Sequence, residues 1–386
     1  MSRPSFELAD IFRHHGESYR NNNALTLEQL KPMRAIETCR TAALGGHVER
    51  CGHCAHQRIS YNSCRNRHCP KCQTLAREQW LTRRRAELLP TTYYHLVFTL
   101  PPAIAQIALQ NKKAVYNILF AASAEALLTI AADPKHLGAR IGFFSILHTW
   151  GQNLLHHPHV HCVVTGGGPS PDRKRWTRCR QNFFLPVRVL SRLFRRLFLE
   201  QLDQARLNFH GQLKPLNDKA QLKRHIARAR KQDWVVYSKA PFGGPEKAID
   251  YLGRYTHKVA ITNHRLISDN EGKVSFHYKD YSSADPQKQR TMTLEAGEFI
   301  RRFLLHAIPA GFQRIRHYGL YANRNREANL KLCRELLQAP APFMPGSPGE
   351  PEAGIIEAAS RCPNCKLGTM LRERKLYPVR WPARPP

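Results

Sequence analysis

The chain has 386 residues, 42% of them hydrophobic, and carries 60 Lys and Arg against 29 Asp and Glu for a formal net charge of +31. That apolar share excludes wholesale disorder. No run reaches the ~18 apolar residues of a membrane span, since the nearest, 114–132, is broken by Tyr116, Asn117, Ser123 and Glu125.

The opening MSRPSFELAD lacks the apolar stretch of a secretory signal, so a cytoplasmic protein without a membrane partner is expected. Basic residues recur from Arg20 to Arg384 instead of forming one tail, so the charge belongs to the folded body. A polyanionic partner follows, and nucleic acid fits better than an anionic membrane. Arg predominates over Lys in the basic runs, and Arg is the better bidentate phosphate ligand.

In chain order, residues 1–38 read as a polar helical segment. Residues 39–75 are dense in Cys and His. A helix follows over 75–89, carrying Arg83, Arg84 and Arg85 and stopped by Pro90. TTYYHLVFTL (91–100) is β-branched and aromatic and is bounded by prolines, so it reads as a strand. Residues 103–132 have helical period; 141–147 and 160–167 read as two more strands, joined by a His-rich loop HTWGQNLLHHPH. Residues 186–231 form a strongly basic helical insertion. A short strand at 234–239 and a helix over 245–258, with Pro in its first turn, come next. RLISDNEGKVSFHYKD reads as a hairpin around 270–272, and helices are expected near 294–306 and 324–337. The Pro/Gly-rich stretch beyond reads as a linker. Strands and helices interleave without a βαβ repeat, which predicts an α+β fold with a mainly antiparallel sheet. The domain reading is a helical segment 1–38, a metal-binding module 39–75, a main domain 76–306, a helical part 307–338, and a linker with a possible Cys knuckle at 339–386.

The chain has 11 Cys, an odd number that argues against a disulfide framework in a reducing compartment. Chance gives about 0.3 C-x-x-C pairs for this composition, and three are present: Cys51/Cys54, Cys69/Cys72 and Cys362/Cys365. The first two form C-x2-C-x14-C-x2-C, close to zinc-ribbon spacing. A closed zinc site of Cys51, Cys54, Cys69 and Cys72 is therefore expected, with a structural role, holding the basic loop with Arg65 and Arg67 against nucleic acid. Cys39, His47, Cys64 and His68 are further ligand candidates for a second zinc, the alternative being a buried Cys64 and histidines on phosphate. Cys362/Cys365 is either a degenerate knuckle or needs distant partners.

HHPHVHCVV sets His159 and His161 either side of a Val, so on a strand both rings emerge on one face, where two neutral imidazoles can serve a divalent metal. Exposed polar residues on an edge strand would give the same pattern. Tyr251 and Tyr255 lie four apart, one helical turn, on one face. A core aromatic stripe is the usual cause. Their neighbours Asp250, Arg254, Thr256, His257 and Lys258 are unlike a core face, and Arg254 or Lys258 could activate a phenol. Together these parts suit a metal-assisted attack of a Tyr oxygen on phosphorus.

The combination of SCRNRHCPKCQ, HTWGQNLLHHPHVHCVVTGGG and YLGRYTHKVAITNHR, in that order over about residues 30–335, resembles the two-tyrosine HUH rolling-circle transposases of bacterial insertion sequences, the IS91 group. The resemblance implies an HUH fold, a central antiparallel sheet with flanking helices. It implies His159 and His161 as ligands of Mg2+ or Mn2+, with His148, or else Gln152, as the third. Tyr251 and Tyr255 would be nucleophiles forming 5′-phosphotyrosine bonds with single-stranded DNA at element ends and target DNA, with Arg254 and Lys258 on the DNA. The implied setting is the bacterial nucleoid. The sequence has no G-x-x-x-x-G-K-[ST], so unwinding is expected from a host helicase. A replication initiator or relaxase with the same chemistry, or a non-catalytic zinc-dependent DNA-binding protein, are the other readings.

Overall fold

The structure, a computed structural model, describes residues 6–239, 242–256, 259–280, 289–339 and 361–379. It is α+β, and every strand pairing among the described residues is antiparallel. The chain opens with α1 (Leu8–Asn22) and α2 (Leu27–Thr38). Capping boxes start both, Glu7 with Asp10 and Thr26 with Gln29, each satisfying orphan backbone donors reciprocally. A hairpin of β1 (Gly46–Cys51) and β2 (Gln57–Tyr61) follows, then α3 (Gln73–Ala86), β3 (Tyr93–Thr99), α4 (Pro102–Gln110) and α5 (Lys112–Ala132). Next come β4 (Gly142–Trp150), β5 (His156–Thr165), a short ribbon of β6 (Gly167–Pro169) and β7 (Trp176–Arg178), and the helices α6 (Val187–Gln204) and α7 (Lys219–Lys231). The rest is β8 (Val236–Ser238), α8 (Pro245–Thr256), β9 (Leu266–Asn270), β10 (Lys273–Lys279), β11 (Gln289–Glu295), α9 (Ala296–Leu305), β12 (Ile315–Gly319), α10 (Arg326–Leu336) and β13 (Met370–Leu376).

The central sheet has five strands in the order β12-β4-β5-β3-β8. Its faces follow from the period of two along each strand. Phe143, Leu147, Val160, Cys162, Val164, Leu96 and Phe98 point into a core closed by α4, α5, α6 and α7. Phe144, Ile146, Val163 and Tyr93 point the other way, into a core made with α3, α8 and α10. By length and composition α5 could cross a membrane, but it is buried around most of its circumference between the sheet, α4 and α6, as a helix apolar on all sides must be in a folded core. A third core joins α1 and α2 to α9 and the sheet β11-β10-β9, with Phe12 edge-on to Phe303 at 5.5 Å. The β9–β10 turn is the expected hairpin, and Glu271 and Gly272 both take positive φ (51° and 75°), as a type I′ turn requires.

The His-rich connection differs from the loop expected. β4 runs on to Trp150 and β5 starts at His156, so the pairing continues through His148↔His159 and Trp150↔His156, leaving only 151–155 as a turn. The ladder slips by one residue between those pairs, at Pro158. Pro has no N–H for a ladder bond and is tolerated inside a sheet at such a bulge. Several side chains hold the turn. His306 donates from Nε2 to the Leu154 carbonyl at 3.0 Å, Arg302 donates to the Asn153 carbonyl at 3.0 Å, and Arg265 donates to that of Gln152 at 2.5 Å.

Candidate active site

The extended β4–β5 ladder places His148 directly across from His159, with His161 two residues further along the same face. One ring nitrogen from each of the three lies within 4.8 Å of those of the other two. His148, not the turn residue Gln152, stands opposite the His pair. His148 and His161 are buried and His159 is half-buried. Burial holds the His159 imidazole down at about 4 and that of His161 well below its ordinary value, so both are neutral at pH 7 and keep a lone pair for a cation. Nδ1 of His159 donates to the His157 carbonyl at 2.6 Å, which leaves its Nε2 bare. Trp150 stacks on His148 with centroids 4.6 Å apart. Three imidazoles gathered on one face are a donor set for a divalent transition-type cation.

His95 is the residue that the sequence reading passed over. It lies on β3, buried, with Nε2 2.8 Å from Nδ1 of His161. A hydrogen bond there couples the tautomers of the two rings and orients His161. The Nδ1 atom of His95 is buried without a hydrogen-bond partner among the described residues. The available signal was a titratable side chain inside YYHLVFT, a strand otherwise made of apolar residues and a terminal Thr.

The tyrosine helix packs on this same face. α8 starts at Pro245 and crosses α3 closely at Gly253, where a Cβ would come within 2.8 Å of Leu81. That close approach sets the half-buried Tyr251 against the sheet. Its ring lies 4.9 Å from that of His95 and 5.2 Å from Phe242, with the Lys239 ammonium 5.5 Å from the ring centroid. The Tyr251 ring, His95, His161 and the other two histidines therefore form one continuous set of contacts. Tyr255 lies one turn further along α8; its side chain and that of Arg254 fall outside those described, and Lys258 lies outside the described residues. Lys239 also lines a cleft with Phe183, Phe184 and Arg188, and Phe183 is 48% exposed there. An exposed aromatic beside two cations suits stacked bases and phosphates.

The cysteines group differently from the sequence reading. Cys69 and Cys72 do not join Cys51 and Cys54; they meet Cys39 and Cys64, with Cys39 and Cys64 sulfurs 3.6 and 3.5 Å from that of Cys72. Cys51 and Cys54 meet Cys362 and Cys365 instead. The cause is the β1–β2 hairpin, which carries the first C-x-x-C to the far end of β1, away from the core of α1 and α2 in which Cys39 and Cys69 are buried. The histidines offered for a second ion are engaged elsewhere. His68 donates from Nδ1 to Asn66 and accepts the Ile308 N–H at Nε2, and His47 pairs with Glu49 at 2.9 Å. Arg65 and Arg67 are both exposed, and Arg67 donates to the Phe312 carbonyl at 2.6 Å, tying its loop to the segment after α9. Four sulfurs in mutual contact fit a structural zinc, since a tetrahedron with Zn–S of about 2.3 Å has edges of about 3.8 Å.

Residues 142–329 match the family described as "Putative transposase", and residues 11–100 match the "Transposase zinc-binding domain". The chain is 57% identical over 382 residues to the "Putative transposase y4qJ" of Sinorhizobium fredii, covering 96% of each chain. It is 30% identical over 302 residues to the "Transposase for insertion sequence element IS801" of Pseudomonas savastanoi pv. phaseolicola, covering 77% of this chain and 71% of that one. No solved structure matches.

Proposed function

The chain belongs to the insertion-sequence transposases of the IS91/IS801 type, and from that premise we propose that it cuts and rejoins single-stranded DNA through tyrosine–phosphate bonds, as HUH enzymes do. The observation that carries this reading is the contact of Tyr251 with His95, which in turn bonds His161 of the three-histidine cluster. A nucleophile and a cation site on one face of one sheet are what phosphodiester transfer needs.

His148, His159 and His161 would hold the divalent cation, Mg2+ or Mn2+, which polarises the scissile phosphate when bound. The phenolic oxygen of Tyr251 or Tyr255 attacks phosphorus; the new Tyr–O–P bond forms as the P–O3′ bond breaks. The phenol gives up its proton and the departing 3′ oxygen takes one up, so no water is consumed and no nucleotide is needed. The reverse attack by another 3′-OH restores a phosphodiester. Two tyrosines allow one end to be held while a second is cut. Phe183, Arg188 and Lys239 would hold the strand beside Tyr251, with DNA ends and target as partners and a host helicase as the source of single strands.

The test uses 5′- and 3′-labelled single-stranded oligonucleotides carrying the element ends, with Mn2+ or Mg2+, on a denaturing gel. A covalent protein–DNA species that retains the 3′ portion supports the reading. Intact DNA despite tight binding would reduce the protein to a DNA-binding role. Cleavage confined to element ends would separate transposition from replication initiation.

Two further results are expected. Phe183→Ala weakens single-strand binding about tenfold, within the ~1–3 kcal/mol that one stacked base contributes, measured by fluorescence anisotropy; unchanged affinity would move the strand elsewhere. His95→Ala raises the Mn2+ concentration for half-maximal cleavage by roughly 10–100-fold while saturating Mn2+ restores the rate. A rate that stays low at saturation would assign His95 to Tyr251 instead.

A further inference from the structure

We propose that a second zinc ion sits between Cys51, Cys54, Cys362 and Cys365 and clasps the C-terminal strand to the N-terminal module. The matched zinc-binding domain covers residues 11–100 and the other matched region ends at 329, so Cys362 and Cys365 lie outside both. This site does not depend on the tyrosine chemistry.

Three observations carry the assignment. The four sulfurs lie within 4.8 Å of one another, and the pairs Cys51–Cys365 and Cys54–Cys362 are 3.7 and 3.6 Å apart. A disulfide would need about 2.05 Å, whereas the edge of a zinc–thiolate tetrahedron is about 3.8 Å.

The two loops are also near copies of each other. The Cys51 carbonyl accepts from the N–H of Ala55 at 3.1 Å, and the Cys362 carbonyl accepts from that of Lys366 at 3.0 Å. Ala55 and Lys366 both take φ of 57°, a conformation uncommon for residues with a Cβ. Backbone N–H groups point at sulfur in both: His53 donates to Cys51 Sγ at 3.4 Å and Gly368 donates to Cys365 Sγ at 3.4 Å. Paired knuckles of this kind present four sulfurs to one point, the donor set of a tetrahedral zinc site.

The third observation is what β13 otherwise lacks. It pairs with β1 from Gly46↔Leu376 to Cys51↔Met370, yet among its seven residues Met370 alone is buried. The local apolar cluster consists of Cys51, Cys362 and Met370, with Cys54 and Cys365 against it. A strand with one buried apolar side chain cannot be held across more than 300 residues of sequence by hydrophobic burial. A metal that binds only the assembled site can hold it.

The test is made on the full chain. Wild type should contain two zinc ions per chain by elemental analysis, and Cys362→Ser with Cys365→Ser should contain one. A protease site is also placed in the Pro/Gly-rich sequence between residues 345 and 350. After cutting, the C-terminal piece should co-elute with the body from a sizing column. Chelation, or the Cys362→Ser/Cys365→Ser pair, should release it. Far-UV dichroism matching wild type would show that the variant still folds around the Cys39 cluster. One zinc in wild type with no loss in the variant, or a piece that stays bound after the ligands are removed, would overturn the proposal.

Discussion

Replacing Tyr251 and Tyr255 together by Phe is expected to remove the covalent protein–DNA species entirely. It should also lower strand cleavage by roughly 10⁴-fold or more, with single-strand affinity within a few fold of wild type. The substitution deletes two hydroxyl oxygens and leaves both rings. At Tyr251 the ring contacts with His95 and Phe242 survive, at 4.9 and 5.2 Å in the parent. A fall in activity therefore cannot be assigned to lost packing. Each single Tyr→Phe change should leave one adduct-forming residue and block the exchange of strands that needs both. If the double variant instead loses DNA binding or unfolds, the tyrosines are packing residues and the nucleophile must be sought elsewhere. Denaturing gels with labelled oligonucleotides and anisotropy on the same preparations separate these outcomes.

Much of this site was legible because its parts obey local periods. A strand puts His159 and His161 on one face wherever it sits, and a helix stacks Tyr251 over Tyr255 whatever packs against it. Strands rich in Val, Ile and Phe announced the central sheet, and Asn270-Glu271-Gly272 announced the β9–β10 hairpin of the separate three-stranded sheet. The extent of β4 and β5 was not legible, since His148, Trp150 and His156 resemble loop residues until each finds its partner across the ladder. His95 was silent for a similar reason. Its importance comes from being two strands away from His148, on the same face, next to the helix that carries Tyr251.

The cysteines show a different failure. Spacing of the Cys51–Cys54 and Cys69–Cys72 pairs predicts that each forms a tight turn, and both do. It says nothing about which two turns face each other. That is decided by β13, which arrives from the other end of the chain and pairs along β1. Local spacing identified the knuckles; non-local strand pairing chose their partners.

Removing the imidazoles of His159 and His161 should act on cleavage and not on binding. With both changed to Ala, cleavage in Mn2+ is expected to fall by roughly 10³-fold, the few kcal/mol that a cation contributes to phosphate charge stabilisation. Under the proposed function, single-strand affinity would rest on Arg, Lys and aromatic contacts such as Lys239 and Phe183, and should stay within a few fold while keeping a steep salt dependence. His148→Ala alone leaves two ligands, so raised Mn2+ should recover part of the rate. Mn2+ should also work at lower concentration than Mg2+, because three imidazole nitrogens suit the transition ion better than the hard oxygen-seeking one. The parent should lose cleavage on chelation and regain it on adding Mn2+ back, with the thiolate-bound zinc unchanged by elemental analysis. Cleavage that persists in the His159/His161 double variant would remove the cation from these histidines. The cluster would then be read as buried packing under α8, with His95 wedged between the sheet and Tyr251 for the same structural reason.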